Sequence, residues 1–103
     1  MKKTELYQVR LEEIYESLSS TPQSAEELAG EVFRAYLRLR SDPHVGQFYR
    51  IDVGRHWYRI PLDPIWIHGQ RVRFWIYYEK IHVPNGELAV RLVWIAEEPL
   101  LAP

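Results

Sequence analysis

Between Thr4 and Ser19 the apolar residues Leu6, Tyr7, Val9, Leu11, Ile14, Tyr15 and Leu18 recur three and four apart, with Glu5, Glu12, Glu13 and Glu16 between them. That spacing predicts an amphipathic helix over 4–19. Ser19-Ser20-Thr21-Pro22 ends it, because the residue before a proline is biased away from helical dihedrals. Ser24 then reads as the N-cap of a second helix, with Glu27 three residues later as its capping-box partner. Ala25, Leu28, Ala29, Val32, Tyr36 and Leu39 supply its apolar stripe, and Asp42-Pro43 stops it. Glu26, Glu27 and Glu31 near its start and Arg34, Arg38 and Arg40 near its end match the helix dipole. The Pro-containing turn before Ser24 has some likeness to a helix-turn-helix. No break or separate recognition helix follows it, however, so an ordinary packing helix is expected.

After Gly46 the period changes from about 3.6 to 2. Phe48–Val53 and His56–Ile60 alternate around Gly54-Arg55, a two-residue turn with Gly first. In that register Val53 faces His56, Ile51 faces Tyr58 and Tyr49 faces Ile60. Pro61 and Pro64 interrupt the ladder, making Leu62–His68 a connection or a short edge strand. Gln70–Val83 reads as a long strand and Glu87–Ile95 as its partner, joined through Pro84-Asn85-Gly86. Pairing Val83 with Glu87 sets Glu79 opposite Arg91, an opposite-charge pair that supports the register. Pro99 closes the last strand, and 97–103 is expected to be a short apolar tail.

Alternation sorts the strand residues into two faces. Tyr49, Ile51, Val53, Tyr58, Ile60, Val72, Phe74, Ile76, Tyr78, Val90, Leu92 and Trp94 form one, nearly all apolar, against which the helices are expected to bury their stripes. The other holds Phe48, Arg50, Asp52, Trp57, Arg59, Arg71, Arg73, Trp75, Tyr77, Glu79, Arg91, Val93 and Ile95. The expected fold is therefore α+β: one domain over 1–103, with a helical hairpin (4–41) on one face of a four- to five-stranded antiparallel sheet (46–96). Curling of that sheet toward a small barrel is the alternative.

Composition narrows the chemistry. The 103 residues are 47% hydrophobic, enough for a core, and 14% aromatic, with four Trp and seven Tyr. Absence of cysteine removes disulfides, thiolate catalysis and cysteine-ligated zinc. The charged start of the chain reads as neither signal peptide nor membrane span, so a cytoplasmic setting is expected. Net charge is −1, yet residues 44–96 hold seven Lys+Arg against four Asp+Glu while residues 1–43 hold six against eight. The sheet half is thus mildly basic, mostly through arginine. Ten Arg against three Lys, with one Asn and one Met, resembles the avoidance of thermolabile residues in thermophile proteins.

No catalytic motif stands out. His44, His56, His68 and His82 lie more than four residues apart, the glycines form no phosphate-cradling loop, and the adjacent carboxylate pairs read as solvated surface. Neither a metal nor a cofactor is expected. The candidate site is the Arg/aromatic face: Phe48, Arg50, Trp57, Arg59, Arg71, Arg73, Trp75, Tyr77 and Arg91. Its first reading is a non-enzymatic interaction surface for a protein partner or a second copy in a homodimer, because aromatics and arginine are enriched at interfaces. The alternative is single-stranded nucleic acid, with bases stacked on rings and arginines on phosphates. A membrane is not an expected partner. A third reading is a small ribonuclease using Arg50, Arg59, His56 and Tyr58. Bacterial toxin ribonucleases of comparable size resemble this layout, with helices ahead of an antiparallel sheet and Arg, His and Tyr as active groups. No strand ahead of the first helix is predicted, although that family would place one there.

Overall fold

A computed structural model describes residues 2–99, apart from the side chains of Asp52 and Pro99. The tail from Leu100 onward and the position of the Asp52 carboxylate thus lie outside the described residues. The element order is β1 (Lys2–Lys3), α1 (Glu5–Ser17), α2 (Pro22–Ser41), β2 (Gln47–Asp52), β3 (Arg55–Pro61), β4 (Ile65–Ile67), β5 (Gln70–His82) and β6 (Leu88–Pro99). The strands form one mostly antiparallel sheet, ordered β1-β6-β5-β3-β2, with β4 paired to β5 off that path. The sheet is α+β in context and open, with β1 and β2 at its ends, so the barrel alternative does not hold.

The strand missing from the sequence reading is present. Lys2 and Lys3 pair in parallel with Arg91 and Leu92, and the Thr4 amide donates to the Leu92 carbonyl at 2.9 Å. Two residues carry no readable period, which is why alternation could not reveal it. Thr4 turns directly from this strand into α1 as its N-cap, its hydroxyl accepting from the Tyr7 amide at 3.1 Å.

The cap expected at Ser24 is a different contact. The helix α2 starts three residues earlier, with Thr21 at its N-cap position and Pro22 in its first turn, where a missing N–H costs nothing. Ser24 is buried and its hydroxyl donates to the Trp66 carbonyl at 2.6 Å, fastening α2 to β4. Twenty unbroken helical residues leave no room for a helix-turn-helix. Glu31 is also buried; its carboxylate accepts from the Asp63 amide at 2.9 Å and pairs with Arg34.

The β5–β6 hairpin follows the expected register: Glu79 faces Arg91, and Gly86 takes the left-handed conformation at φ +84°. The β2–β3 hairpin does not. Its turn is Val53-Gly54, with φ +49° and +75°, so Asp52 faces Arg55 and Ile51 faces His56. Both turn residues having positive φ is the geometry of a type I′ turn, whose twist matches the flanking strands. The same geometry at His68 and Gly69 (φ +49° and +77°) makes the Pro-flanked segment a true strand, Ile65–Ile67, hairpinned onto β5.

Two β-bulges then alter the faces. In β2 the register shifts between Phe48, opposite Tyr58, and Arg50, opposite Trp57, leaving Tyr49 as the extra residue. In β6, Leu92 faces Tyr78 and Trp94 faces Tyr77, leaving Val93 extra. Each bulge reverses the alternation beyond it. Ile95 therefore enters the core and Trp94 leaves it, opposite to the sequence reading.

The core combines helix residues with even-numbered residues of β5 and with neighbours from β3 and β6. Tyr7, Ile14, Leu18, Leu28, Ala35 and Leu39 from the helical half join Ile60, Phe74, Ile76, Tyr78, Leu92 and Ile95 in one buried cluster. Each fully buried large apolar side chain contributes about 1.5–3 kcal/mol relative to an exposed one. Tyr49, Ile51 and Val53, placed in this layer by alternation, are exposed instead.

Candidate functional site

The opposite face of the sheet carries the expected arginines and rings, with its membership altered by the bulges. Arg59 faces Tyr77 across the β3–β5 ladder, Trp75 faces Pro61 and Ala96, and Trp94 faces Tyr77. Arg50 faces Trp57 across the β2–β3 ladder. Cross-strand neighbours share a face, so Arg50, Trp57, Arg59, Trp75, Tyr77 and Trp94 form one surface. Tyr49 joins them from its bulge: its ring meets Tyr77 edge-on with centroids 4.9 Å apart. Phe48 belongs to the other side, where its ring packs on His56 and Tyr58 at 5.9 and 5.8 Å.

Rings and guanidinium groups alternate across this surface. Arg50 lies 5.4 Å from the Tyr49 ring and 5.3 Å from Trp57, and Arg59 lies 5.0 Å from Tyr49 and 4.2 Å from Trp75. At these distances the guanidinium groups lie over the rings within cation–π range. The Trp75 indole N–H donates to the Glu98 carboxylate, which holds that ring in place. On the near side, α1 brings Leu6 and Arg10 to the rim, with Arg10 5.7 Å from the Trp94 ring. A groove of about 230 Å³ lies between Leu6, Tyr49, Arg50, Trp57, Tyr77 and Trp94.

The charge of this surface is largely unanswered. Arg50, Arg59, Arg71 and Arg73 form no ion pair among the described residues. Arg71 and Arg73 lie farther along β5, opposite Trp66 and Glu98 in the ladders. Arg91 is committed elsewhere: it lies 3.1 Å from Glu79, a carboxylate with a side chain only 7% exposed, which also faces Arg55 at 3.6 Å. Trp57 Nε1 and Arg73 Nε are shielded from solvent with no hydrogen-bond partner among the described residues.

The ribonuclease grouping does not assemble. Arg50 and Arg59 stand on the Arg/aromatic face, whereas His56 and Tyr58 pair with Ile51 and Tyr78 on the other. Sequence reasoning missed Tyr49 and Trp94, which alternation assigned to the core. A bulge carries no glycine signal at either position, and the residues themselves are of the right type for both faces. Among the described residues no cluster of three or more His, Asp or Glu is placed to hold a metal, and no helix is long and apolar enough to cross a membrane. Comparison with protein-family models, curated proteins and solved structures finds no match to the chain.

Proposed function

We propose that the chain is a non-enzymatic binding module that takes single-stranded nucleic acid on the Arg/aromatic face. The observation that carries this reading is the alternation of rings with guanidinium groups that form no ion pair among the described residues: Arg50 and Arg59 between Tyr49, Trp57 and Trp75. Bases stack on such rings at roughly 1–3 kcal/mol each, while guanidinium edges meet phosphates. The groove beside Leu6 and Trp94 offers a slot for one base, with Arg50 at its margin.

The same surface fits a protein partner, since tryptophan, tyrosine and arginine dominate interface energetics. A second copy is a weaker fit. An isologous dimer through this face sets four arginines, without ion pairs among the described residues, against their own copies, and like charges brought together across an interface oppose association. An anionic partner answers that charge; a nucleic acid also answers the rings.

Tryptophan fluorescence decides between the readings. Trp57, Trp75 and Trp94 lie on the face, so titration with a single-stranded oligonucleotide quenches emission, with affinity falling as salt rises. Arg50→Ala and Arg59→Ala each reduce the slope of log affinity against log salt by about one. Unchanged emission together with a stable dimer in light scattering overturns the nucleic-acid reading and assigns the face to a second copy.

A further inference from the structure

A second cluster of chemistry lies outside this face. The strands β3 and β5 pair only from Tyr58 opposite Tyr78 to Pro61 opposite Trp75. Beyond Tyr58 the β2–β3 and β5–β6 hairpins part, and a cleft of about 720 Å³ opens between them. Where strands part, main-chain N–H and C=O groups on the facing edges lose their partners and become available to a ligand. By register Arg55 and Glu79 belong to the Arg/aromatic side of the sheet, while His56, Tyr58, Lys80 and His82 belong to the other. The cleft therefore passes through the plane of the sheet.

Its lining is cationic and rich in imidazole. Three of the four histidines of the chain, His44, His56 and His82, line it together with Arg55, Lys80 and Arg91. The carboxylate among its lining residues, Glu79, is already held by Arg55 and Arg91. Lys80 is positioned by groups that carry no negative charge: its ammonium lies 3.9 Å over the Tyr58 ring and 2.9 Å from His44 Nδ1. Neither contact cancels its charge, and no carboxylate pairs with it among the described residues. An ammonium held beside one imidazole, in a cleft also lined by two further imidazoles and two guanidinium groups, is a donor set for an oxyanion. The volume is that of a small-molecule site and exceeds what a bare oxyanion fills.

We propose that this cleft binds the phosphate of a nucleotide, Lys80 and the three histidines contacting the phosphate oxygens. Lys80, His56 and His82 lie on the side of the sheet away from the Arg/aromatic face, so the site stands whether or not that face takes nucleic acid. Its ligand chemistry has two sources, a free mononucleotide or the phosphorylated end of an oligonucleotide.

Histidine ring resonances in proton NMR test it at constant pH and ionic strength, with inorganic phosphate, adenosine 5′-monophosphate and adenosine as probes. His68 sits in the β4–β5 turn, away from the cleft lining, and is the internal control. Inorganic phosphate and the nucleotide are expected to shift His44, His56 and His82 to saturation, with His68 unmoved and adenosine without effect. Lys80→Met should weaken the nucleotide roughly tenfold, a loss fitting one charged hydrogen bond, and Lys80→Arg should retain most of it. In the Arg50→Ala, Arg59→Ala background and read at the three histidines, tighter binding of a 5′-phosphorylated oligonucleotide than of the mononucleotide assigns the ligand to a nucleic-acid end; the reverse assigns it to a free nucleotide. The double variant Arg50→Ala, Arg59→Ala should leave phosphate-induced shifts intact even if the face loses its own ligand. Equal shifts from adenosine, shifts at all four histidines without saturation, or no shift overturn the proposal.

Discussion

Val53 occupies the left-handed region at φ +49° while its side chain stands 94% exposed. A β-branched residue there clashes with its own backbone, and nothing is gained in burial to offset it. Val53→Asn keeps the Val53-Gly54 turn and supplies the residue that type I′ turns prefer. The substitution is expected to stabilise the protein by about 1 kcal/mol, read as a higher urea midpoint with an unchanged slope. His68 has the same φ, but histidine tolerates this region better, so His68→Asn should give a smaller gain. Tyr7 is the opposite case, fully buried with a hydroxyl that has no partner among the described residues. Burial, with Tyr15 nearby, pushes its hydroxyl from the ordinary 10.0 up to about 12. The unfolded chain therefore ionises first. Stability of roughly 2–3 kcal/mol, present below pH 10, is lost progressively as pH rises toward about 12. Tyr7→Phe should flatten much of that alkaline loss in urea unfolding at pH values on either side of the window. Burial also raises Tyr15 and Tyr78, so a residual slope of the same sign remains.

At the scale of elements, the junction between α2 and the sheet depends on a close approach. The Gly46 amide donates to the Tyr78 hydroxyl at 3.0 Å, and that hydroxyl donates to the Pro43 carbonyl at 3.0 Å. A Cβ on Gly46 would lie 2.7 Å from the Arg59 carbonyl oxygen and against the Tyr78 ring. Gly46→Ala should therefore cost about 1–3 kcal/mol in chemical denaturation, through forced backbone movement. The β5–β6 hairpin rests on Glu79 in a comparable way. Removing that carboxylate leaves Arg55 and Arg91 without their shared partner, and Glu79→Ala should lower stability by roughly 1–3 kcal/mol. Arg55 is 63% exposed, so most of that loss is expected to come from the Arg91 contact and from Glu79's own burial.

At the scale of the whole molecule, the two faces of one sheet differ in what they hold. One face joins the helical half in the core; the other keeps its rings and arginines at the surface, bounded by α1 at the β6 edge. Stability and binding should then separate by mutation. The double change Arg50→Ala and Arg59→Ala is expected to leave the thermal midpoint within a few degrees of the parent, because neither arginine forms an ion pair among the described residues. Binding of a single-stranded oligonucleotide should fall by at least tenfold at low salt. Unfolding of this variant would instead make the arginines supports for the rings and remove the basis of the proposed interface.

The residue pattern alone determined the two helices, the long β5–β6 hairpin with Glu79 opposite Arg91, and the presence of an Arg/aromatic surface. These rest on local periodicity and on turn residues such as Pro84-Asn85-Gly86, which act within a few positions of the chain. Tertiary structure decided which rings reach the surface. A bulge at Tyr49 exchanged Phe48 for Tyr49, and a bulge at Val93 exchanged Ile95 for Trp94. It also recruited Lys2 and Lys3 as a strand and turned Ser24 from a cap into a tie to β4. The physical reason is common to all of these. A residue suited to both faces, or to both a cap and a buried contact, has its place chosen by what lies across the sheet from it. At β6 the added strand β1 and the Thr4 amide engage Leu92 beside the bulge, and a period-2 reading of β6 alone contains no term for that partner.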